Sequence, residues 1–320
     1  MINLVDHHTN IPLKIETTGL VGQNVFYPLL NGVFQIEKGN NYADNFGKQW
    51  KLFKKTQLDK YSNTTASLDR LKVLLGSSFD MLNDKNVLEV GCGAGRFTQI
   101  LLDYSRAVIY SVDLSEAVEA NYENNGPNNR LKLFRSSVYA LPFEKQAFDF
   151  VFLFGVLQHT PDPGETVRSL CEMVKPGGEI IIDFYPRKGF YTLLSAKYML
   201  RPFTKRMNPA RLLRRIRRHA GWMIKFSLFL RKIKLGFLNR FIPICDIHST
   251  LPASLTPEQR KEWVILDTFD MFSPAYDTPQ KVKWVASYFN MNEFDLTFAG
   301  IQKFNNNSVA YVRAKRKCAA

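Results

Sequence analysis

Val87-Leu-Glu-Val-Gly-Cys-Gly-Ala-Gly-Arg-Phe-Thr98 is the stretch that decides the fold of this 320-residue chain. Four residues typical of a buried strand precede a turn with three alternating glycines, Gly91, Gly93 and Gly95, and a helical pattern follows from 96 to 102. A strand that ends in a glycine-rich turn at a helix N-terminus exposes bare backbone amides to a ligand. The stretch therefore predicts a nucleotide or nucleoside site at one edge of an α/β sheet.

The spacing of the glycines distinguishes between two kinds of ligand. It is G-x-G-x-G, whereas sites that bind the diphosphate of a dinucleotide carry G-x-G-x-x-G. Glu89, just before the turn, would also repel a diphosphate, and it suits a cation or a ligand with hydroxyl and amine groups. Asp113 ends the next predicted strand, where a carboxylate can accept hydrogen bonds from both ribose hydroxyls. This pair predicts an unphosphorylated nucleoside and disfavours an oxidoreductase that uses a nicotinamide cofactor.

Strand and helix patterns alternate along the middle of the chain. The predicted strands are 87–90, 107–112, 131–134, 148–154 and 179–184, and the helices between them are 96–104, 115–124 and 164–174. Such alternation predicts right-handed βαβ units and a parallel sheet with helices on both faces. Two closing strands, 294–299 and 309–313, are close enough in sequence to pair antiparallel. We therefore expect an α/β fold: a Rossmann-like, doubly wound seven-stranded sheet with one antiparallel edge strand, plus a basic helical insertion.

The patterns divide the chain into four segments. Residues 1–66 form an N-terminal extension and a candidate lid over cofactor or substrate, and residues 67–188 form the Rossmann-like core. Residues 189–262 form the basic helical insertion, and residues 263–320 complete the sheet. Trp50 and Phe53 are the candidates for the lid, and ordinary packing in the core is the alternative for both.

Composition argues against several other classes of protein. The four cysteines lie far apart, and no Cys-x-x-Cys or Cys/His ligand spacing occurs, so neither a metal site nor a disulfide framework is predicted. The sequence has no run of eighteen apolar residues, so no membrane span is predicted. The N-terminus lacks the basic flank and apolar block of a secretory signal. We expect a cytoplasmic location, with peripheral attachment to the inner face of the membrane as an alternative.

Five motifs in order resemble those of class I S-adenosylmethionine-dependent methyltransferases, of the type 11 branch that includes ubiquinone- and menaquinone-pathway enzymes. They are VLEVGCGAGRFT, YSVDLSEA, LPFEKQAFDFVF, GVLQHTPDP and VKPGGEIIIDF, and the likeness runs from about Arg70 to Tyr185. The resemblance implies S-adenosylmethionine as cofactor and methyl transfer to an oxygen or carbon of a small or lipid-linked metabolite. The alternatives are a methyltransferase of rRNA or tRNA, and a binding protein that has lost catalysis.

The resemblance also implies which residues contact the cofactor. Glu89 and the glycine turn would face the methionine end, Asp113 would hold the ribose, and Ser137 with Val138 would border the adenine. Many relatives carry an acidic residue where Ser137 stands, and an uncharged serine accepts a weaker hydrogen bond from the adenine amine. The predicted cofactor-binding residues are Glu89, Gly91, Cys92, Gly93, Gly95, Asp113, Leu114, Ser137, Val138 and Phe154.

His159 is the predicted general base. It follows the fourth strand near the crevice, and imidazole commonly transfers protons near neutral pH. The alternative is that His159 caps or orients the turn Thr160-Pro-Asp-Pro. Weaker candidates for the pocket are Tyr139, Gln158 and Tyr185.

The net charge of +14 is concentrated in one segment. Residues 184–245 hold sixteen Lys and Arg and no Asp or Glu, whereas the rest of the chain has 27 basic and 29 acidic residues. Asn208 before Pro209 predicts a helix start. At helical spacing the arginines and Lys225 share one face, and the opposite face is apolar. The basic residues of this face are Arg211, Arg214, Arg215, Arg218 and Lys225, and the apolar ones are Leu212, Leu213, Ile216, Ala220, Met223 and Ile224.

Three interpretations of this segment compete. Residues 208–240 could lie on an anionic membrane surface, because a basic amphipathic helix flanked by aromatic residues is typical of that role. Their apolar face could instead cover the sheet, with the charges simply solvated. Nucleic acid is the third candidate, since clustered arginines neutralise phosphates. It is unlikely, because neither an Asn/Asp-Pro-Pro-Tyr nor a Pro-Cys motif follows the fourth strand.

Overall fold

One mixed β-sheet runs through the molecule, in a computed structural model that describes residues 2–37, 42–76, 78–187, 189, 193–305 and 307–318. Within these residues it has twelve strands: β1 Leu4–Val5, β2 Pro12–Glu16, β3 Gly19–Val21, β4 Phe26–Leu30, β5 Val33–Gln35, β6 Asn86–Val90, β7 Val108–Asp113, β8 Leu131–Arg135, β9 Phe148–Phe154, β10 Val174–Phe184, β11 Phe294–Phe304 and β12 Asn307–Arg316. Their order across the sheet is β1-β2-β3-β4-β5-β8-β7-β6-β9-β10-β12-β11.

Helices cover the sheet and form a separate layer beside its crevice. They are α1 Asp44–Leu52, α2 Asp59–Ser62, α3 Ala66–Leu75, α4 Arg96–Tyr104, α5 Ala117–Asn125, α6 Pro163–Met173, α7 Ala196–Thr204, α8 Pro209–Lys232, α9 Ile247–Thr250, α10 Pro257–Phe272 and α11 Val282–Ala286. Short 3₁₀ turns lie at 79–82, 157–159 and 236–241. Among the described residues, no helix combines the length and the apolar content that crossing a bilayer requires.

The predicted parallel core is present. Strands β8, β7, β6, β9 and β10 are all parallel, with the first βαβ unit running from β6 through α4 to β7. Neighbouring strand residues point to opposite faces of a sheet, and both faces are buried. Leu88 and Ile182 pack in the apolar cluster on one face, and Val87 and Ile181 pack in the cluster on the other. This double burial explains why the central strands read as continuous apolar runs.

The prediction of seven strands with an antiparallel edge strand is wrong in two respects. The described sheet has twelve strands, and its reversed strand β12 is not at the edge but lies between β10 and β11, antiparallel to both. Burial explains the order of the last two strands. Residues Val309–Val312 of β12 are all buried, whereas β11 alternates between exposed and partly buried positions. The interior strand β12 is thus the more buried of the two, and β11 forms the partly exposed edge.

The five additional strands come from the N-terminal segment. β1 to β5 form an antiparallel meander, and β5 then pairs parallel with β8 through Phe34 and Phe134. Each of these strands has only two to five residues. The N-terminal segment therefore extends the sheet, and its following helices α1 and α2 lie beside the crevice.

The insertion buries its apolar residues against helix α10. Asn208 caps α8 as predicted, because its Oδ1 accepts hydrogen bonds from the amides of Ala210 and Arg211 at 3.0 and 3.3 Å. The apolar face of α8 packs with Leu266 and Phe269 of α10. That face packs on α10 and not on the sheet, which corrects the alternative that it covers the sheet; the membrane interpretation of residues 208–240 stays a prediction. Its buried residues are Leu212, Leu213, Ile216, Ala220 and Met223.

Candidate cofactor and acceptor cavity

A cavity of about 780 Å³ lies where the carboxyl ends of β6, β7, β9 and β10 meet. Ligands of open α/β sheets bind in this crevice. The strand ends form its floor, and the turn Gly91–Ala94 lies on one side. Helix α1, the segment 64–70, the segment 245–254 and helix α10 form further walls, and the facing ends of β11 and β12 also line the cavity. The N-terminal segment and the region after β10 therefore both enclose a site that the parallel core begins.

The glycine turn holds a backbone that other residues would not adopt. Gly91 and Gly95 have φ values of +75° and +86°. A Cβ atom on Gly91 would lie 2.2 Å from Cγ2 of Val156, and one on Gly95 would lie 2.2 Å from Oδ1 of Asn121. Positive φ and close approach both require glycine. The turn thus brings bare backbone to the cavity at the N-terminus of α4, as the motif predicted.

Asp113 lies on the cavity wall at the end of β7. Its Oδ2 accepts a hydrogen bond from the amide of Gly93 at 2.8 Å, and its Oδ1 accepts from the amide and hydroxyl of Ser115 at 2.8 and 2.7 Å. Burial raises the pKa of the Asp113 carboxyl, and these hydrogen bonds oppose the shift. A carboxylate has about four acceptor sites, and three are used here, so Asp113 can accept about one further hydrogen bond from a hydroxyl in the cavity.

Glu89 lies beneath the turn. Its Oε2 accepts hydrogen bonds from Oγ1 of Thr98 on α4 at 2.5 Å and from Oγ of Ser111 on β7 at 2.7 Å. Burial raises the pKa of the Glu89 carboxyl to about 7. The expected position of this carboxylate at the methionine end is corrected: it points between the sheet and α4, because its two hydroxyl partners lie there.

The cavity wall includes most of the predicted cofactor residues. Those on the wall are Gly91, Cys92, Gly93, Asp113, Leu114, Val138 and Phe154. Glu89, Gly95 and Ser137 are not on it, and Ser136 lines the cavity next to Val138 instead. The Oγ of Ser137 accepts a hydrogen bond from the amide of Tyr139 at 3.2 Å. A direct contact of Ser137 with adenine has no support from this geometry.

His159 lines the same cavity from the 3₁₀ turn after β9. Its Nδ1 lies 3.0 Å from the carbonyl oxygen of Tyr276. A carbonyl oxygen only accepts, so Nδ1 carries the proton and the neutral ring keeps its lone pair on Nε2. No group among the described residues hydrogen-bonds to that Nε2. The ring edges of Phe46 and Tyr185 fix the imidazole, at centroid distances of 5.1 and 5.9 Å.

The two lid candidates differ in position. Trp50 lines the cavity, and its Nε1 lies 3.3 Å from the place that a Cβ of Gly93 would take. Phe53 is instead buried in the apolar cluster that joins α8 and α10. Core packing therefore describes Phe53, and Trp50 covers the glycine turn.

The three weaker pocket candidates also differ in whether they line the cavity. Tyr185 lines the cavity, with Nζ of Lys197 4.8 Å from the centre of its ring. Gln158 and Tyr139 are not on the cavity wall. Nε2 of Gln158 donates a hydrogen bond to the carbonyl oxygen of Gly155 at 2.6 Å, and the hydroxyl of Tyr139 donates one to the carbonyl oxygen of Asp162 at 3.0 Å. Of the three, Tyr185 alone could meet a ligand.

Charged residues that the sequence analysis missed also line the cavity. They are Lys54 after α1, Asp69 and Arg70 on α3, Arg96 at the start of α4, Lys197 on α7, Asp246 before α9, and Asp267 and Asp270 on α10. Arg70 forms an ion pair with the buried Asp183 at 2.7 Å. Arg96 directly follows Gly95, and its place in the glycine motif is a local signal for a position at the cavity. The others come from segments without a recognisable motif.

Comparison with known proteins identifies the same region. Residues 88–182 match the family model of a methyltransferase domain. A ubiquinone biosynthesis O-methyltransferase of Coxiella burnetii is 29% identical over 123 residues, which cover 37% of this chain and 52% of that protein. Another ubiquinone biosynthesis O-methyltransferase, of Nitrosospira multiformis, is 33% identical over 125 residues, with the same coverage of 37% and 52%.

A protein of a different description matches over a shorter length. A tRNA U34 carboxymethyltransferase of Nautilia profundicola is 34% identical over 104 residues, which cover 32% of this chain and 35% of that protein. The chain spans about half the length of the ubiquinone-pathway relatives that it matches. The motifs, the parallel core and these matches coincide on one region. Residues 88–182 are therefore similar to the methyltransferase domain of class I S-adenosylmethionine-dependent enzymes, and the ubiquinone-pathway relatives are among the proteins that share this similarity.

Proposed function

We propose that the chain transfers a methyl group from S-adenosylmethionine to an oxygen or carbon atom of a small or lipid-linked metabolite. One observation carries the proposal: the glycine turn, the Asp113 carboxylate and the Nε2 side of His159 line one cavity. This supports the proposal, because methyl transfer to a hydroxyl or an acidic carbon would need a nucleoside site and a proton acceptor next to each other.

The residues of the cavity suit this cofactor. Asp113 would accept a hydrogen bond from a ribose hydroxyl, and the turn at Gly91 and Gly93 leaves room for the ligand against the backbone. Leu114 and Val138 offer apolar walls beside the ribose site for the adenine ring. When bound, the cofactor would supply a methyl group activated by a positively charged sulfur. The protein then needs mainly to align the acceptor and exclude water.

His159 would take the proton of the acceptor. Its Nδ1–H is held by the carbonyl oxygen of Tyr276, which fixes the tautomer with a lone pair on Nε2. As the new bond to the methyl carbon forms, the proton of the acceptor hydroxyl or carbon passes to Nε2. The walls around His159 are aromatic, with Phe46, Tyr42 and Tyr185 on the cavity surface. Such walls suit an apolar acceptor and keep water away from the base.

Two measurements test the proposal. Calorimetry should detect binding of S-adenosylmethionine and of its demethylated product, and Asp113→Ala should weaken both at least about tenfold, as expected from the loss of hydrogen bonds to a charged acceptor. Asp295→Asn, at an exposed position of β11, serves as the control. A metabolite screen with labelled methyl donor should then identify an acceptor. Binding without any turnover would favour the non-catalytic alternative, and tight binding of NAD without S-adenosylmethionine would overturn the proposal.

We further propose that an anionic membrane surface is a partner of residues 208–240. The exposed side of α8 supports this, because it carries aromatic residues as well as arginines. Trp222, Phe226, Phe229 and Ile233 follow one another at spacings of four, three and four residues, with exposures of 56%, 45%, 53% and 44%. At helical spacing these four share a face with Arg211, Arg215 and Arg218. Arginines near headgroups and aromatic rings near the acyl boundary are typical of interfacial helices.

The neighbouring elements continue this surface. Phe237 and Phe241 of the turn 236–241 are exposed, and so are Met199 and Phe203 of α7. Exposed apolar groups of this size are rare on proteins that have no partner. The exposed Met199 and Ile233 favour the membrane over nucleic acid, because neither neutralising phosphates nor stacking on bases requires aliphatic side chains.

Vesicle flotation tests the membrane proposal. The protein should float with vesicles that contain phosphatidylglycerol, not with pure phosphatidylcholine, and salt should release it. The pair Phe226→Ser with Phe229→Ser should abolish flotation, and Phe26→Ser, at an exposed phenylalanine of β4, should not. Cofactor affinity serves as the check on folding. Binding to tRNA in place of vesicles would overturn the membrane partner and favour the nucleic-acid alternative.

A further inference from the structure

Lys197 of the insertion reaches the part of the cavity wall that carries the proposed base. Its Nζ lies 4.8 Å from the centre of the Tyr185 ring, and that ring contacts His159 nearly at right angles, at a centroid distance of 5.9 Å. All three residues line the cavity. The ammonium group and the imidazole therefore contact the same ring, and one ligand in the cavity can reach both.

A buried carboxylate from another element holds Lys197 in place. Nζ forms an ion pair with Oδ2 of Asp277, whose side chain is fully buried, whereas the Lys197 side chain keeps 14% of its surface exposed. Oδ1 of Asp277 accepts a hydrogen bond from the hydroxyl of Tyr198 at 3.2 Å. An ammonium group has three donors, and apart from Asp277 no residue in the described part of the chain offers Nζ an acceptor. The remaining donors are available to a ligand.

Asp277 also has a second cationic partner. Nη1 of Arg201 lies 3.9 Å from the same Oδ2, and the guanidinium donates to the carbonyl oxygens of Met271 and Pro274 at 3.1 and 2.9 Å. Arg201 is buried and is not on the cavity wall. Two cations thus share one carboxylate, and of the two Lys197 faces the cavity. Since one cation would neutralise Asp277, the second leaves a positive charge that an anion of the ligand balances.

The other carboxylates of this wall are bound elsewhere. Asp267 accepts a hydrogen bond from Nε2 of Gln57 at 2.7 Å, and Asp270 accepts one from Nε2 of Gln49 at 3.4 Å. Neither of these two described residues forms an ion pair with Lys197. The positive charge at the cavity surface is therefore opposed directly by Asp277 alone.

Two neighbouring residues hold both groups that face the acceptor. The carbonyl oxygen of Tyr276 accepts from Nδ1 of His159 at 3.0 Å, and the carboxylate of Asp277 binds Nζ of Lys197. The turn after α10 therefore fixes the ammonium group and the imidazole relative to each other. Such a fixed pair can orient one acceptor molecule at two points.

We propose that Lys197 binds a carboxylate group of the methyl acceptor. The inference rests on the function proposed above and names the class of acceptor: a metabolite with an apolar body and one carboxylate. Tyr42, Phe46 and Tyr185 contact the body, and Nζ donates hydrogen bonds to the carboxylate. The end of the acceptor that receives the methyl group then lies toward Nε2 of His159. One positive charge suits a carboxylate better than a phosphate ester, which carries close to two negative charges.

The test uses three small probes on protein saturated with S-adenosylhomocysteine. Phenylacetate has an aromatic body and a carboxylate, phenylacetamide is its neutral analogue of similar shape, and phenyl phosphate carries the larger charge. NMR titration should give an affinity for phenylacetate at least about fivefold higher than for phenylacetamide, as expected for a charged hydrogen bond that Asp277 partly offsets.

Each other result has its own meaning. Equal affinities for phenylacetate and phenylacetamide, or no binding of either, would overturn this inference and leave the proposed function standing. Tighter binding of phenyl phosphate than of phenylacetate would overturn the assignment of a carboxylate. Failure of the protein to bind S-adenosylhomocysteine would instead overturn the proposed function.

Substitutions in the ion pair assign the preference to Lys197. Lys197→Met should abolish the preference for phenylacetate, and Lys197→Arg should keep it. Asp277→Asn should raise it at least about twofold, because the negative charge that competes for Nζ is gone. An ion pair with a structural role alone would not give opposite effects from its two partners. Lys205→Met, at an exposed position just after α7, is the control for the loss of one positive charge.

A double variant covers a failure of Lys197→Met to fold. That variant leaves the buried carboxylate of Asp277 with the more distant Arg201 alone, whereas Lys197→Met combined with Asp277→Asn has no carboxylate to pair. The double variant should also bind phenylacetate and phenylacetamide equally. A preference for phenylacetate that persists in it, or a lower preference in Asp277→Asn, would overturn the assignment.

Discussion

Nδ1 of His159 lies 3.0 Å from the carbonyl oxygen of Tyr276, and this contact joins the parallel core to the chain that follows the insertion. Two backbone hydrogen bonds strengthen the junction. The amide of Thr278 donates to the carbonyl of Gln158 at 2.8 Å, and the amide of Gln280 donates to that of Tyr185 at 3.0 Å. The segment after α10 therefore fixes both the tautomer and the position of the imidazole.

Replacing His159 with alanine should remove the proton acceptor and leave the nucleoside site intact. We expect turnover to fall by about 10²- to 10⁴-fold, the usual contribution of a general base. Affinity for S-adenosylmethionine should change by less than about twofold, because Asp113 and the glycine turn are untouched. Initial rates with the acceptor found by the methyl-transfer screen, together with calorimetry, check both expectations.

Chemical rescue separates a base from a structural residue at this position. Free imidazole should restore part of the turnover of His159→Ala, since the vacated space opens on the cavity. His219→Ala, on the exposed side of α8, should behave like the wild-type protein. Turnover at the wild-type level in His159→Ala would leave His159 the role of orienting the turn at Thr160.

The parallel core could be predicted from the sequence because its signals are local. Apolar runs, glycine turns and helical periodicity recur from 87 to 184, and the strand and helix bounds agree with the prediction within a few residues at most ends. The N-terminal strands were missed because two to five residues carry too little periodicity. Helix α11 is confined to Val282–Ala286, because the amides of Thr278 and Gln280 donate to the core instead of to a helix.

Some residues of the candidate site could likewise be predicted from the sequence, and others could not. Asp113, the glycine turn and His159 stand at strand ends, and topology alone brings such positions to one crevice. Asp267 and Gln57 are 210 residues apart and meet only through the packing of α10 against the N-terminal helices. No local pattern marks such a pair. The orientation of Glu89 was also unpredictable, since it depends on hydroxyls of two other elements.

Glu89→Gln should reveal the pH dependence of the buried carboxyl. Its pKa rises from 4.5, the ordinary value of a solvated glutamate, to about 7 in the folded protein, because the carboxyl is buried, so the folded state binds the proton more tightly than the unfolded state does. As pH rises from about 4.5 to 7, the folded state loses stability from this group. One pKa unit corresponds to about 1.4 kcal/mol, so the total loss is about 3 kcal/mol.

Urea unfolding of the ligand-free protein at pH 4.5 and pH 8 measures this effect. The variant keeps an oxygen that can accept from Thr98 and Ser111 but has no charge to bury. We expect the free energy of unfolding of Glu89→Gln, relative to wild type, to increase by about 3 kcal/mol from pH 4.5 to pH 8. A relative stability that does not vary with pH would contradict a raised pKa at Glu89.

The two sides of α8 should respond differently to truncation. Ile216 is buried against α10, so Ile216→Ala should lower the free energy of unfolding by about 2–5 kcal/mol. Phe229 is exposed on the same helix, and Phe229→Ala should change stability by less than about 0.5 kcal/mol. Urea unfolding without lipid compares them. Similar losses for both would mean that the aromatic side of α8 is packed in solution, which would also remove the basis of the membrane proposal.

One substitution at two glycines should have opposite effects on stability. Gly91 has φ of +75°, and an added Cβ would meet Val156, so Gly91→Ala combines backbone strain of about 1–2 kcal/mol with a clash on the cavity wall. Gly221 lies inside α8 with no atom within 4 Å of an added Cβ, and Gly221→Ala should stabilise the protein by about 0.5–1 kcal/mol. Thermal unfolding with and without S-adenosylhomocysteine measures both.

Gly91→Ala should also lose most of the stabilisation that the ligand gives, whereas Gly221→Ala should keep it. Adding Val156→Ala to Gly91→Ala should restore only part of the loss, because it relieves the clash and not the strained φ. Full ligand stabilisation in Gly91→Ala would show that the cofactor does not need close approach to this turn.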